Sequence, residues 1–409
     1  MNPDDKPFIP SENYLVKMND RRTSPKPLQA SSRSAIRPFL AMDVLADANQ
    51  LEAQGRRVIH MEVGQPTART PRAVLEAARA GLSGRPIVYT EAMGTELLRG
   101  RIAAHYSERY GIELDPERVA VTTGSSAGFT LAFLAAFNPG DRVAVATPGY
   151  PAYRNILQAL GLEVVEIALT PNTGPNITPG QLEETHAASR LAGLLVASPA
   201  NPTGSMLTPS ELSALLNVSE ELGIRFISDE IYHGLVYGGV AETALRFSNE
   251  AIVINSFSKY YCMAGWRVGW MVMPADLTRP IERLAQNLYL SPPDLSQRAA
   301  LGAFDSVDEL DGIKAGYAQS RSLLLDRLPR LGFGDLYPVD GAFYVYASVA
   351  SLSNDSTDFA KQMLQQAGVA ATPGLDFDLS RGAGTIRFSF SGTPTEVAEA
   401  VERMEAWLR

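Results

Sequence analysis

Cysteine is almost missing: Cys262 is the single one in 409 residues. An internal disulfide is therefore excluded, and a lone thiol suits a reducing compartment, so a cytoplasmic protein is expected. Histidine is nearly as scarce. His60, His105, His186 and His233 stand far apart without metal-ligand spacing, so no metal site is expected. No apolar run has bilayer-spanning length, and the opening MNPDDKPFIP carries no apolar signal segment. Positive charge is in deficit: 36 Lys and Arg stand against 45 Asp and Glu, a formal net charge of −9. That balance argues against a nucleic-acid or membrane partner, and any phosphate must be held by a local set of donors.

What is present is ordinary for a globular chain: 45% apolar and 20% charged residues. The length exceeds one compact core, so two domains are expected. Residues 1–32, rich in Pro, Asn, Ser and charge without periodicity, are expected to form a flexible tail. A helix is expected over FLAMDVLADANQLEAQG, with Gly55 as its stop. β-like and helical runs then alternate. Strands are expected at 118–123, 142–146, 162–169, 192–198, 224–228, 251–256 and 267–273. Helices are expected at 125–137, 151–160, from Pro179, and from a Thr208 cap to about Leu222. Such alternation implies an α/β fold with a mainly parallel sheet covered by helices. After Pro274 helical runs dominate, at 276–290, 295–304 and 308–328. FYVYASV, a helix near 357–367, TIRFSFS and a last helix near 394–408 make a smaller α+β part. The expected division is a large domain, 60–305, and a small one built from 33–59 and 306–409.

In open α/β sheets ligands bind beyond the carboxyl ends of the strands. The residues that follow the strands are Gly124-Ser125-Ser126, Pro148-Gly149-Tyr150, Asn201-Pro202-Thr203-Gly204, Asp229-Glu230-Ile231-Tyr232 and Ser256-Phe257-Ser258-Lys259. A carboxylate, a lysine, an amide, two phenols and several hydroxyls thus share one edge. The stretch GSSAG also matches the G-x-S-x-G nucleophile elbow, with Ser126 as the nucleophile. That mechanism needs an acid and then a late histidine, and none lies beyond His233. The alternative for this corner is an anion site built from the amides and hydroxyls of Ser125 and Ser126 at a helix N-terminus. A phosphate site, a lysine and a carboxylate together suggest pyridoxal 5′-phosphate.

SPANPTG, SDEIY, SFSKYYCMAGWRVGW and IRFSF, in this order and spacing, resemble the fold-type-I, class I aminotransferases of the aspartate aminotransferase type. The resemblance runs from about Ala35 to the C-terminus. It implies a seven-stranded-type sheet in the large, cofactor-binding domain. It implies amino transfer from an α-amino acid to a 2-oxo acid through a Schiff base on Lys259, whose freed amine then shuttles a proton. Asp229 is the implied partner of the pyridinium nitrogen and Tyr232 of the ring oxygen. Asn201 is implied to reach that oxygen and the substrate carboxylate, and Tyr150 to stack on the ring. Arg267, Ser256, Ser258, Gly124, Ser125 and Ser126 are the implied phosphate-side residues. Arg387 is implied to take the substrate carboxylate, and the backbone of Gly64 to approach the substrate. Tyr89 resembles the tyrosine that reaches the neighbour's cofactor phosphate, which implies a homodimer with active sites at the interface. Each residue also has an ordinary explanation: a cap for Asp229, a turn for Asn201, a solvent-facing strand position for Arg387. Lys361, Arg279, Arg283 and Glu183-Glu184 are expected on solvated helix faces, and Met263 in packing. The same site permits a β-lyase or cyclase. A non-catalytic binding protein of this fold is the third alternative, against which the joint presence of Lys259, Asp229 and Arg387 argues.

Overall fold

The computed structural model describes residues 28–170 and 173–409. Most of the expected tail, residues 1–27, lies outside the described residues. Two units are distinguished, Met1–Ala35 and Ile36–Arg409. In the first, the described residues hold one 3₁₀ turn, Ser32–Ser34, with the Ser31 hydroxyl accepting from the Arg33 amide.

The second unit contains twelve strands among its described residues: β1 (Ile59–His60), β2 (Val119–Thr122), β3 (Arg142–Thr147), β4 (Glu163–Ala168), β5 (Gly193–Ala197), β6 (Arg225–Asp229), β7 (Ile252–Ser256), β8 (Gly269–Val272), β9 (Tyr344–Ser348), β10 (Val369–Ala370), β11 (Thr372–Pro373) and β12 (Thr385–Ser389). Seven of them form one sheet in the order β2-β8-β7-β6-β5-β3-β4. The pairs from β4 through to β7 are parallel, whereas β8 runs antiparallel to both β7 and β2. The sheet is thus mainly parallel, as expected for alternating strands and helices.

The central strands read as continuous apolar runs because both faces are covered. Every residue of β2, β7 and β8 is buried. Alternation decides which core each side chain joins. Leu194, Phe226, Val253 and Trp270 pack on one face, and their chain neighbours Leu195, Ile227, Ile254 and Met271 pack on the other. A second, three-stranded antiparallel sheet, β11-β12-β9, buries Val345, Ala347, Ile386 and Phe388 against the helices Val307–Arg330, Ser356–Ala367 and Pro394–Leu408.

Local chemistry sets several boundaries. Thr208 and Glu211 form a capping box with Pro209 in the first turn, and that helix runs Pro209–Glu221. The strand expected at 267–273 is shorter. Arg267 has φ 50, a left-handed conformation that ends the preceding turn, so pairing starts at Gly269. The helix Arg72–Ser83 has no strong apolar signal in the sequence, because its buried residues, Val74, Ala78 and Gly81, are small.

Candidate active site

The carboxyl ends of the parallel strands open into a cleft of about 680 Å³, a size that suits a small-molecule site. Its wall includes Lys259, Asp229, Tyr232, Asn201, Tyr150 and Arg387. Gly64, Ser125, Ser126, Ser258 and Arg267 border it as well. Eleven of the fourteen candidate residues line it, most of them on strands or at the turns beside strand ends, which explains how positions more than 300 apart in sequence converge. Gly124, Ser256 and Tyr89 do not line the cleft.

Lys259 follows β7. Its Nζ donates to the Gly64 carbonyl at 2.6 Å. Burial lowers the ammonium to about 8, aided by Arg387 and Arg267 and opposed by Asp229. Asp229 ends β6 and is 2% exposed. One of its oxygens accepts from the Ile231 amide at 3.1 Å, the other from the Tyr153 phenol. Burial raises its carboxyl to about 6, against the pull of Tyr153, the Ile231 amide and Lys259. At neutral pH the group is therefore mostly ionised. The next residue, Glu230, takes the opposite side of the chain, where Ser228, Thr243 and the Ala244 amide hold it.

Arg387 lies in β12 with 3% exposure, not on a solvent face. Its Nη1 donates to Asn201 Oδ1 at 2.9 Å, and Nη2 donates to the Glu62 carbonyl and to Thr372 Oγ1. The guanidinium is packed between the rings of Tyr344 and Phe377, 4.5 and 4.6 Å from their centroids. Its Nε is buried and has no partner. An unpaired donor in such a position is costly unless an anion comes to it.

The corner after β2 gathers hydrogen-bond donors that could hold an anion. Gly124 has φ +73 and begins the helix Gly124–Ala136, so amides of its first turn are free. The Arg267 guanidinium sits where a side chain at Gly124 would point. Ser256 is buried behind this corner, its hydroxyl donating to Ser258 Oγ at 2.9 Å. The nucleophile alternative for Ser126 finds no support in the histidines. His233 is buried, its Nε2–H donates to the Ser198 carbonyl at 3.0 Å, and Nδ1 accepts from the Tyr110 phenol at 2.7 Å.

Of the wall residues that escape the sequence reading, four shape the site most directly. Tyr153 fixes Asp229, and the Tyr344 phenol shares a 2.7 Å hydrogen bond with that of Tyr232. A Cβ on Gly64 would collide with Tyr344, so the glycine is required by close packing. Phe39 and Met42, at the start of the helix Leu40–Ala53, line the cleft. Tyr153 stands three residues after Tyr150, in the first turn of a helix at the sheet's functional edge, a position that marks it in retrospect. The other three carry no such sign. Tyr89 is 80% exposed, beside exposed Ile87, Val88 and Leu97. Arg279, Arg283, Glu183 and Glu184 are on exposed or partly exposed helix faces and Met263 is fully buried. Among the described residues no helix is long and apolar enough to cross a membrane.

Residues 56–404 match the family model of aminotransferases of class I and II. The chain is 47% identical over 380 residues to a valine–pyruvate aminotransferase of Mycobacterium tuberculosis, covering 92% of this chain and 97% of that one. Among solved structures it superposes on a putative aminotransferase from Silicibacter pomeroyi with a TM-score of 0.87 and 50% identity, covering 93% of this chain and 99% of that one. An aspartate aminotransferase from Thermus thermophilus, solved with maleate, gives a TM-score of 0.86 at 30% identity over 93% of this chain and 99% of that one. With the mainly parallel sheet and the lysine, carboxylate and arginine gathered at its carboxyl edge, these likenesses establish that the chain belongs to the class I and II aminotransferases and is a transaminase.

Proposed function

We propose that the cleft holds pyridoxal 5′-phosphate and transfers the amino group of an α-amino acid with an apolar side chain to a small 2-oxo acid. The residues present fit that cofactor. Gly124, Ser125, Ser126, Ser258 and Arg267 form an anion cradle, with Ser256 bracing Ser258. Asp229 offers a buried carboxylate to a ring nitrogen, Tyr232 and Asn201 offer donors to a ring oxygen, and Tyr150 offers an aromatic face. When bound, the cofactor supplies an aldehyde that condenses with amines and a ring that accepts the electron pair left by a broken Cα–H bond.

The chain's own groups do the rest. Lys259, brought down to about 8, presents roughly one tenth of its population as free amine at pH 7. That amine serves first as nucleophile and then as the base that takes the proton from the substrate Cα. Arg387 binds the substrate carboxylate as a fork, using the donor edge that includes its unpartnered Nε. Asn201, already bonded to Arg387, orients that fork. Arg387, with its orphaned donor, lines the same cleft as a lysine of lowered basicity, and that pairing is the observation that carries this reading.

The charged residues on the cleft wall are Asp229, Lys259, Arg267 and Arg387, and each has a role above. Among the described residues no cation remains there to read a substrate side chain, which favours an apolar one. The named activity of the Mycobacterium tuberculosis relative, valine with pyruvate, belongs to that class. We further infer a cytoplasmic homodimer in which exposed Tyr89 reaches the neighbour's cofactor phosphate, with 60–305 as the cofactor-binding domain. A donor screen with pyruvate as acceptor tests the reading. Stoichiometric alanine from valine supports it. Activity confined to dicarboxylic donors, or release of ammonia in place of alanine, refutes it.

A further inference from the structure

The helix Leu40–Ala53 starts without a cap of its own, since the residue before it is Phe39, which supplies no side-chain acceptor. Its first two amides turn elsewhere. Leu40 N–H donates to Asp376 Oδ1 at 3.1 Å, and Ala41 N–H donates to Asp376 Oδ2 at 3.2 Å. One carboxylate, 3% exposed and 336 residues away in sequence, thus takes both. Charge-assisted acceptance at a helix N-terminus is the favourable form of a cap.

Asp376 is itself held. Its backbone carbonyl accepts from Arg154 Nη2 at 3.2 Å. The next residue, Phe377, packs on the Arg387 guanidinium and accepts the Gly149 amide at 3.1 Å. The rigid platform under the substrate-carboxylate arginine is therefore the same segment that fixes the helix start. On that helix start, the Phe39 ring meets Tyr150 edge to face, with centroids 5.6 Å apart. Met42 lines the cleft with 52% of its surface free.

We propose that Asp376 is a positioning residue that clamps the wall formed by Phe39 and Met42, and that this wall makes the enzyme select amino acids with a branched apolar side chain. The inference rests on the transaminase reading with an apolar donor. The geometry gives the reason for the linkage: the clamp sets how closely apolar surface approaches a donor's side chain, while Arg387 and Lys259 hold its carboxylate and amine. Two methyl groups separate valine from alanine, and burying them against a fixed wall supports discrimination on the order of tenfold.

The test uses the holoenzyme and the variants Asp376→Ala and Asp376→Asn. Hydrogen exchange of the peptide carrying Leu40 and Ala41 should quicken on the order of tenfold in Asp376→Ala. The Asn variant, which keeps one acceptor, should fall between. The ratio of kcat/KM for valine to that for alanine should collapse by a similar factor, through KM, with cofactor absorbance retained. Unchanged exchange in both variants overturns the clamp. Faster exchange with an unchanged ratio overturns the selective wall. If Asp376→Ala does not fold, the Asn variant alone decides by the same two measurements. A wild-type enzyme that accepts no apolar donor, yet shows the exchange response, sinks the substrate reading and leaves the clamp standing.

Discussion

Lys259 should behave as a free amine two units or more below an ordinary lysine, and this is testable without turnover. In the protein stripped of cofactor, burial lowers its ammonium to about 8 from the ordinary 10.5, and Arg387 and Arg267 add to the effect. At pH 7 the amine fraction is then about one in ten, against roughly one in three thousand for an unperturbed lysine. A gain of that size, on the order of 300-fold, is a large share of what a nucleophilic lysine needs at neutral pH. The assay is brief acylation over a pH series, with mass-spectrometric readout of the Lys259 peptide and exposed Lys361 as internal reference. Half-maximal labelling of Lys259 should fall near pH 8. Arg387→Gln removes a cation and should raise the midpoint, whereas Asp229→Asn removes an anion and should lower it. A wild-type midpoint at 10 or above, or shifts of the same sign in both variants, refutes the electrostatic argument.

The same shift has a stability consequence whose sign is fixed. A lysine depressed in the folded state binds fewer protons there than in the unfolded chain between the two values. Stability contributed by this site is therefore low below pH 8 and rises toward 10.5, by about 3 kcal/mol over the full window. Asp229 acts in another range. Its carboxyl is raised to about 6 from 3.8, so the folded state holds the extra proton between those values and stability falls as pH rises through them. The stripped protein should show both limbs in its melting temperature. Filling the cleft with a cation-bearing ring should flatten the acidic limb, because Asp229 then gains a partner.

Arg387→Lys keeps charge but loses the fork that packs between Tyr344 and Phe377, so KM for the amino donor should rise at least tenfold with cofactor affinity little changed. Tyr153→Phe removes a donor from Asp229, a hydrogen bond to a charged group worth about 1.5–3 kcal/mol. The Asp229 carboxyl should climb further, and the acidic limb of the melting curve should extend above pH 6; an unmoved limb counts against the pairing. For Tyr89, a mixture of Tyr89→Ala and Lys259→Ala chains should recover activity towards about one quarter of wild type under random pairing, from one complete site in half of the dimers. No recovery after verified subunit exchange places Tyr89 outside the neighbour's site.

What the sequence disclosed and what it withheld divide along contact range. Lys259, Asp229, Asn201 and the 124–126 corner were legible because each lies at or within a few residues of the end of an apolar strand, and such strands deliver their carboxyl ends to one edge whatever their order in the sheet. Arg387 was legible only by resemblance. Nothing in TIRFS distinguishes an arginine buried between two rings from one facing solvent, and the pairing Arg387↔Tyr346 that fixes its face is a matter of register. Tyr344 is harder still. FYVYASV reads as any buried strand, and the bond of Tyr344 to Tyr232 joins residues 112 apart. Asp376 was the least visible, because an acid near a glycine reads as a turn residue. Its actual duty is to cap a helix whose own sequence, opening on Phe39, lacks a cap. That deficit is a legible clue of a different kind. A helix that begins on an aromatic has amides that something else must satisfy, and here the missing acceptor comes from the segment whose Phe377 also packs on Arg387.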